Sequence, residues 1–171
     1  MNLKSMTYIS VMSIVIVICA WLTIPAAVPF TMQTFGVFFA LLFLGGKRGT
    51  ASILLYLLLG AVGLPVFSGF SGGIGHLFGI TGGYILGFIL TGIIYTVFER
   101  LLGKSLKISI LSLILGLFAC YAFGTAWFSI YKENASFLSA VTICVIPFII
   151  PDLLKLLLAV IIYKRIKKAS F

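Results

Sequence analysis

The sequence predicts an all-α membrane protein with six transmembrane helices and both termini in the cytoplasm. Of its 171 residues, 62% are hydrophobic and 9% are charged, which leaves too little polar surface to cover a soluble domain. Six apolar runs follow one another, and several approach the length that crosses a bilayer. Ten of the twelve lysines and arginines fall on one side of these runs. The positive-inside rule makes that side cytoplasmic.

The apolar runs cover residues 6–24, 34–46, 50–66, 82–98, 108–128 and 137–163, and they form one domain over residues 1–171. The first run should stop at Pro25, which lacks an amide hydrogen, and should remain an uncleaved helix. The second run is so short that its helix would span only about 20 Å at 1.5 Å per residue. We therefore expect residues 25–33 to fold over it as a loop. A basic turn at residues 45–49 leads into the third run.

The basic residues are expected to set topology rather than to bind nucleic acid, although the net charge is +9. They are Lys4, Lys47, Arg48, Arg100, Lys104, Lys107, Lys164, Arg165, Lys167 and Lys168, against Lys132 on the other side. The cysteines Cys19, Cys120 and Cys144 lie far apart in apolar runs and have no zinc or redox spacing. They are interpreted as packing residues, and neither a metal nor a cofactor is expected.

Residues 64–83 are rich in glycine, contain the single histidine and carry no charge. Gly75, Gly79, Gly83 and Gly87 recur at four-residue intervals, so any helical part would present a smooth face. Close helix packing and the approach of a flat ligand both fit this pattern. The fifth run has a similar row of small residues at Gly116, Cys120 and Gly124. No phosphate-binding loop of the G-x-x-x-x-G-K-[ST] type occurs in the sequence.

The sixth run contains a carboxylate and an ammonium group, Asp152 and Lys155, between apolar residues. Charged groups inside a membrane segment are costly, so they usually face a protein interior and mark a ligand site. Residues at i and i+3 share a helix face, and both groups could therefore enter one cavity. A structural ion pair, with Lys155 reaching toward the headgroups, is the alternative. Breaks at Pro147 and Pro151 make a pocket plausible here.

Segments expected near this pair supply uncharged hydrogen-bonding groups and aromatic walls, as small-molecule sites do. The polar candidates are Thr31, Gln33, His76 and Tyr84, and the walls are Phe30, Phe67, Phe70 and Phe78. His76 could equally be a solvated loop histidine, and Tyr84 could equally be an interfacial belt residue.

Five segments together resemble the BioY family, the biotin-binding S components of energy-coupling-factor (ECF) transporters. They read PFTMQTFGVFFA, LGGKRG, LLYLLLGAVGLPVFSGFSGGIG, TGGYILGF and IPFIIPDLLK, in this order along nearly the whole chain. The resemblance implies a six-helix S-component fold in a prokaryotic plasma membrane, spanning the lipid bilayer. It also implies biotin as the substrate, captured from outside, and as partners a membrane T protein with two cytoplasmic ATPases.

The resemblance places Asp152 and Lys155 at the family's Pro-Asp-x-x-Lys pattern, where they would bind the polar groups of the vitamin. The remaining candidate substrate-binding residues are Thr31, Gln33, Gly73, His76 and Tyr84. Biotin offers two ureido N–H donors, a ureido carbonyl and a carboxylate. Asp152 would accept a ureido N–H, and Lys155 would donate to the ureido carbonyl or to the carboxylate.

An enzyme is not expected, because an intramembrane hydrolase needs a second carboxylate, a Ser/His arrangement or an H-E-x-x-H motif. The sequence has one aspartate in its apolar runs and no such motif. Two transport alternatives remain open: an S component for another vitamin, and a stand-alone biotin facilitator.

Overall fold

The computed structural model of the protein describes residues 2–25, 29–131 and 137–169, which are predominantly helical. The helices are α1 Leu3–Trp21, α2 Gln33–Leu44, α3 Gly46–Ala61, α4 Ile74–Leu77, α5 Gly82–Leu102, α6 Leu106–Tyr131, α7 Phe137–Cys144 and α8 Ile146–Ala169. Strands β1 (Thr23–Ile24) and β2 (Phe30–Thr31) pair antiparallel. A 3-10 turn covers Ser68–Phe70.

Within the described residues, four helical stretches are long and apolar enough to cross a membrane. They are Leu3–Trp21, Gly82–Leu102, Leu106–Tyr131 and Ser139–Ala169. The helix α2 has 12 residues and α3 has 16. The expectation of a short second helix is thus confirmed, and α2 is enclosed by α1, α3 and α8. Its inner residues, such as Val37, Phe38 and Leu41, are buried in the main core.

The turn between α2 and α3 is shorter than expected. Only Gly45 separates the two helices, so Lys47 and Arg48 lie in the first turn of α3 rather than in a loop. Gly45 has φ +77°, a conformation that glycine adopts without steric cost. The Gly46 amide, freed at the start of α3, donates to Glu99 Oε2 of α5 at 2.8 Å. This hydrogen bond ties the turn to α5.

The first helix ends earlier than predicted. It stops at Trp21, not at Pro25, because the following residues pair with β2 instead of continuing the helix. Trp21 Nε1 donates to the Pro65 carbonyl at 2.8 Å and so fixes the end of α1 against the segment after α3. The predicted loop at residues 25–33 contains the strand β2, which pairs with β1 just before the loop, and residues 26–28 lie outside the described part.

Small residues bring α5 and α6 close together, as predicted for the fifth apolar run. A Cβ placed on Gly87 would lie 3.1 Å from Cys120 Cα, and one on Gly116 would lie 2.9 Å from Thr91 Cα. The four-residue row of glycines does not continue through one helix, however. Gly75 belongs to α4, and Gly79 lies in the turn before α5.

The last apolar run breaks at Val145, two residues before the first predicted proline break. The amides of Phe148 and Ile149 both donate to the Val145 carbonyl, at 2.9 and 3.2 Å, so α8 begins there. Pro147 occupies the first turn of α8, where an amide has no partner within the helix. The helix continues through Pro151, so the predicted break at this proline was wrong.

The bundle has two distinct ends. The hairpin end carries β1, β2, the 3-10 turn, α4 and α7. The basic end carries the α2–α3 and α5–α6 turns and the last turns of α8. Lys104 Nζ of the α5–α6 turn lies 3.9 Å from Glu99 Oε1, near the α2–α3 turn. The predicted loop lysine Lys132 lies outside the described residues.

Candidate ligand site

Asp152 and Lys155 form a buried ion pair on α8. Lys155 Nζ lies 2.7 Å from Asp152 Oδ1, and the two residues are only 7% and 3% exposed. The second carboxylate oxygen, Oδ2, accepts a 2.6 Å hydrogen bond from the Tyr121 hydroxyl of α6. The ammonium group also lies 5.2 Å from the centroid of the Phe30 ring in β2. Both charges are therefore held in fixed positions by neighbouring elements.

The pair lies at the wall of a cavity that opens between the hairpin end and the core. Side chains from β2, α2, the 3-10 turn, α5, α6, α7 and α8 line it. The lining residues are Pro29, Thr31, Gln33, Thr34, Ser68, Thr81, Tyr84, Ile85, Phe88, Leu117, Cys120, Tyr121, Cys144, Phe148, Asp152 and Lys155. Apolar walls with a few converging polar groups are typical of small-molecule sites.

Three of the predicted polar residues line the cavity together with the pair. Gln33, the first residue of α2, donates from Nε2 to the Tyr56 hydroxyl at 2.8 Å, which fixes its side chain. Its backbone amide donates to Thr31 Oγ1 at 3.2 Å, so the hairpin and α2 hold each other. The Tyr84 hydroxyl lies 3.0 Å from Thr125 Oγ1. Tyr84 is thus part of the α5–α6 interface rather than a belt residue.

His76 and Gly73 do not line the cavity. The His76 ring stacks on Phe67 with centroids 5.3 Å apart, and its Nε2 lies 3.4 Å from Ser71 Oγ. Partial burial lowers the pKa of the His76 imidazole, which favours its neutral form. Gly73 has φ +95°, and its amide donates to the Gly60 carbonyl at 2.7 Å. Gly73 forms the backbone turn that leads into α4.

Most of the predicted aromatic walls lie elsewhere. Phe67 is fully buried beneath the 3-10 turn, while Phe70 and Phe78 are exposed and pack on Trp21 and Trp127. Phe30 lies beside the pair, stacked on Phe148 with centroids 4.7 Å apart. The phenylalanines that line the cavity are Phe88 and Phe148, beside the tyrosines Tyr84 and Tyr121.

Several lining residues were not singled out from the sequence, and Tyr121 is the most informative of them. It follows Cys120 on the predicted small-residue face of α6, and a hydroxyl inside an apolar run needs a hydrogen-bond partner. Asp152 accepts this hydrogen bond, so an isolated hydroxyl in an apolar run was the signal that the sequence offered. Thr34, Ser68 and Thr81 gave no comparable signal, since short hydroxyl side chains are common at helix starts and turns.

The arrangement is suited to binding. It offers an acceptor, a cation and several hydroxyl and amide groups in an apolar enclosure. Among the described residues, no three His, Cys, Asp or Glu side chains come together as metal ligands.

The BioY family model matches residues 1–170 of the chain. The biotin transporter BioY of Thermotoga maritima is 40% identical over 154 residues, which cover 90% of this chain and 89% of that protein. The probable biotin transporter BioY of Pyrococcus horikoshii is 44% identical over 140 residues, covering 82% and 81%.

A solved structure has the same fold. The S-component for biotin from an ECF-type ABC transporter superposes with a TM-score of 0.86 at 30% identity, covering 96% of this chain and 91% of that one. The expectation of an S-component fold is thereby confirmed. Family match, sequence relatives and fold agree over nearly the full length, and the chain belongs to the BioY family.

Proposed function

We propose that this chain is the biotin-binding S component of an ECF-type importer. The observation that carries the proposal is the buried Asp152–Lys155 pair, with Tyr121 bound to it, at the wall of an otherwise largely apolar cavity. Relatives that are biotin transporters by name support it, as does the structural match to an S-component for biotin. The protein works by capturing and releasing a vitamin and catalyses no reaction.

The hydrogen-bonding capacity of the pair fits biotin. Each Asp152 oxygen accepts one hydrogen bond from a described residue and keeps a lone pair for a ureido N–H. Lys155 has three donors, one of which is directed to Asp152, so another is available to the ligand. Thr31, Gln33 and Tyr84 lie on the same cavity and are proposed to orient the ligand. His76 and Gly73 are proposed to act indirectly, by holding the segment after α3.

Two ligand orientations are compatible with this site, and they differ in what Lys155 contacts. In one, the ureido carbonyl meets the ammonium group; in the other, the carboxylate does. Biotin methyl ester distinguishes them, because esterification removes the charge that would pair with Lys155. Equal binding of biotin and its ester assigns the ureido ring to Lys155.

The purified chain is expected to bind biotin without any partner and to retain it against an excess of riboflavin or thiamine. Equilibrium binding of radiolabelled biotin measures this. Displacement by one of the other vitamins would assign the site to that vitamin.

In proteoliposomes, uphill biotin uptake should require a membrane T protein with two ATPase subunits and ATP, since the sequence has no nucleotide-binding loop of its own. Uphill uptake by the chain alone would contradict partner dependence.

The proposed topology has six membrane-spanning segments in a prokaryotic plasma membrane and both termini in the cytoplasm. The short helices α2 and α3 count as two of them, and α7 with α8 counts as one. Asp152 precedes the first lysine of the basic end, Lys164, by 12 residues of continuous helix. At 1.5 Å per residue this is about 18 Å, which puts the ion pair near the middle of the bilayer.

Cysteines introduced at the two ends of the bundle test this topology. Ile74→Cys on α4 is expected to react with a membrane-impermeant maleimide applied to intact cells, because Ile74 is 61% exposed at the hairpin end. Ser5→Cys and Ala169→Cys should react only after the cells are permeabilised. The chain with its three native cysteines is the control. Labelling of Ser5→Cys from outside intact cells would contradict a cytoplasmic N-terminus.

A further inference from the structure

A second cavity, of about 530 Å³, lies at the basic end of the bundle. It is lined by the end of α2, by α5, by the α5–α6 turn with the start of α6, and by the last turns of α8. The lining residues are Leu42, Phe43, Leu44, Gly45, Tyr95, Glu99, Lys104, Leu106, Ser109, Tyr163, Lys164, Lys167 and Lys168. None of them lines the cavity around Asp152 and Lys155.

Lysines converge on this cavity selectively. Lys164, Lys167 and Lys168 lie on one face of α8, since positions i, i+3 and i+4 are neighbours on a helix. Lys104 approaches from the α5–α6 turn. The other basic residues of this end are absent from the lining, namely Lys4, Lys47, Arg48, Arg100, Lys107 and Arg165. A general excess of basic residues for topology does not explain why four of them share one cavity.

The one carboxylate in the lining is already engaged. Glu99 accepts the Gly46 amide at 2.8 Å and has Lys104 Nζ at 3.9 Å. Four lysines and one glutamate give the lining a net charge of 4 − 1 = +3. Lys164 and Lys168, four residues apart on α8, repel each other. A bound anion would remove this repulsion.

The rest of the lining is largely apolar and aromatic. Leu42, Phe43 and Leu44 come from the last turn of α2, and Leu106 from the start of α6. Tyr163 contributes its ring, with Lys167 Nζ 5.9 Å from the centroid. The Tyr95 hydroxyl donates to Ser109 Oγ at 3.0 Å and adds a polar floor. Cations beside an apolar wall at the ends of membrane helices suit a phosphate that carries acyl chains.

We propose that this cavity binds the headgroup of an anionic phospholipid. The four lysines contact the phosphate, and an acyl chain runs along the end of α2 past Phe43, which is 37% exposed. The proposal rests on the second cavity alone and does not depend on the identity of the vitamin. It would make the lipid a structural ligand that holds α2, α5, α6 and α8 together at this end.

The test measures phosphatidylglycerol bound to the detergent-purified chain by native mass spectrometry. The variant Lys164→Gln/Lys167→Gln/Lys168→Gln is compared with Lys4→Gln/Lys47→Gln/Lys107→Gln, which loses the same charge outside the cavity. Each lysine that contacts the lipid phosphate should contribute a factor of about five, so the cavity variant should bind at least about tenfold more weakly. The control lysines lie outside the cavity, and a neutral detergent presents no anionic surface to them, so the control variant should stay within about threefold of the wild type.

Equal losses in the two variants, or equal binding of phosphatidylcholine, would overturn the proposal in favour of diffuse surface charge. Competition by glycerol 3-phosphate at the concentration of the lipid would overturn the lipid assignment in favour of a soluble phosphate. The cavity variant should bind biotin as the wild type does, which shows that it is folded. A wild-type chain that bound phosphatidylglycerol but not biotin would count against the proposed function alone.

Discussion

The double variant Asp152→Asn/Lys155→Met is expected to fold but to bind biotin at least about tenfold more weakly than the wild type. One charge-assisted hydrogen bond contributes roughly 1.5–3 kcal/mol, and 1.4 kcal/mol is a factor of ten in affinity. Each single variant leaves one buried charge without its partner and should lose roughly 3–5 kcal/mol of stability. Removing both charges can be nearly neutral for folding. Stability and affinity therefore separate in this cycle.

Thermal unfolding in detergent and equilibrium biotin binding, measured on all four chains, give the two readouts. Tyr121→Phe is the matched control, because it removes one hydrogen bond to Asp152 and keeps the ion pair. Its affinity loss should be smaller than that of either charge variant. A stable double variant with wild-type affinity would show that the pair is purely structural.

Gly60→Ala is expected to destabilise the protein by about 3 kcal/mol, at the upper end of the usual cost of overpacking. A methyl group on Gly60 would overlap the ring of Phe67, which is fully buried. Phe67 cannot move freely, because its ring packs edge-on against Tyr56, with centroids 5.4 Å apart, and is stacked with His76. The Tyr56 hydroxyl accepts a hydrogen bond from the Gln33 side-chain amide, and Gln33 lines the cavity. Displacement of the Phe67 ring should therefore also reduce biotin affinity.

Gly75→Ala is the matched control for this substitution. Gly75 lies in α4, and a Cβ there meets no described atom within 4 Å. Its melting temperature should equal or slightly exceed that of the wild type. Adding Phe67→Leu to Gly60→Ala makes room for the methyl group and should recover part of the lost stability. If Gly60→Ala melts at the same temperature as Gly75→Ala, the Phe67 contact does not constrain this segment.

The part of the site that could be predicted consists of polar groups in places where an apolar run has no other use for them. Asp152, Lys155, Gln33, Thr31 and Tyr84 all line the cavity for this reason. A charge or amide inside the membrane region must be compensated, and the compensation brings these groups together. Their partners were harder to predict, because Tyr121 and Asp152 lie 31 residues apart.

Other features depended on local geometry that composition does not encode. His76 is polar and lies in a glycine-rich stretch, yet its ring contacts Phe67 and Ser71 and does not line the cavity. The helix break lies at Val145 and was predicted two residues later, at Pro147, because the prediction did not allow for proline in the first turn of a helix. The hairpin of β1 and β2 was missed because strands of two residues leave no alternating pattern in a sequence.

The i, i+3 spacing of the ion pair has a consequence for biogenesis. Asp152 and Lys155 belong to the same helix, so their salt bridge can form while α8 is still alone in the lipid after leaving the translocon. A helix carrying a neutralised pair inserts more easily than one carrying two separate charges. Tyr121 reaches the carboxylate only when α6 docks. The ion pair therefore needs only its own helix, whereas the hydrogen bond from Tyr121 needs the assembled bundle.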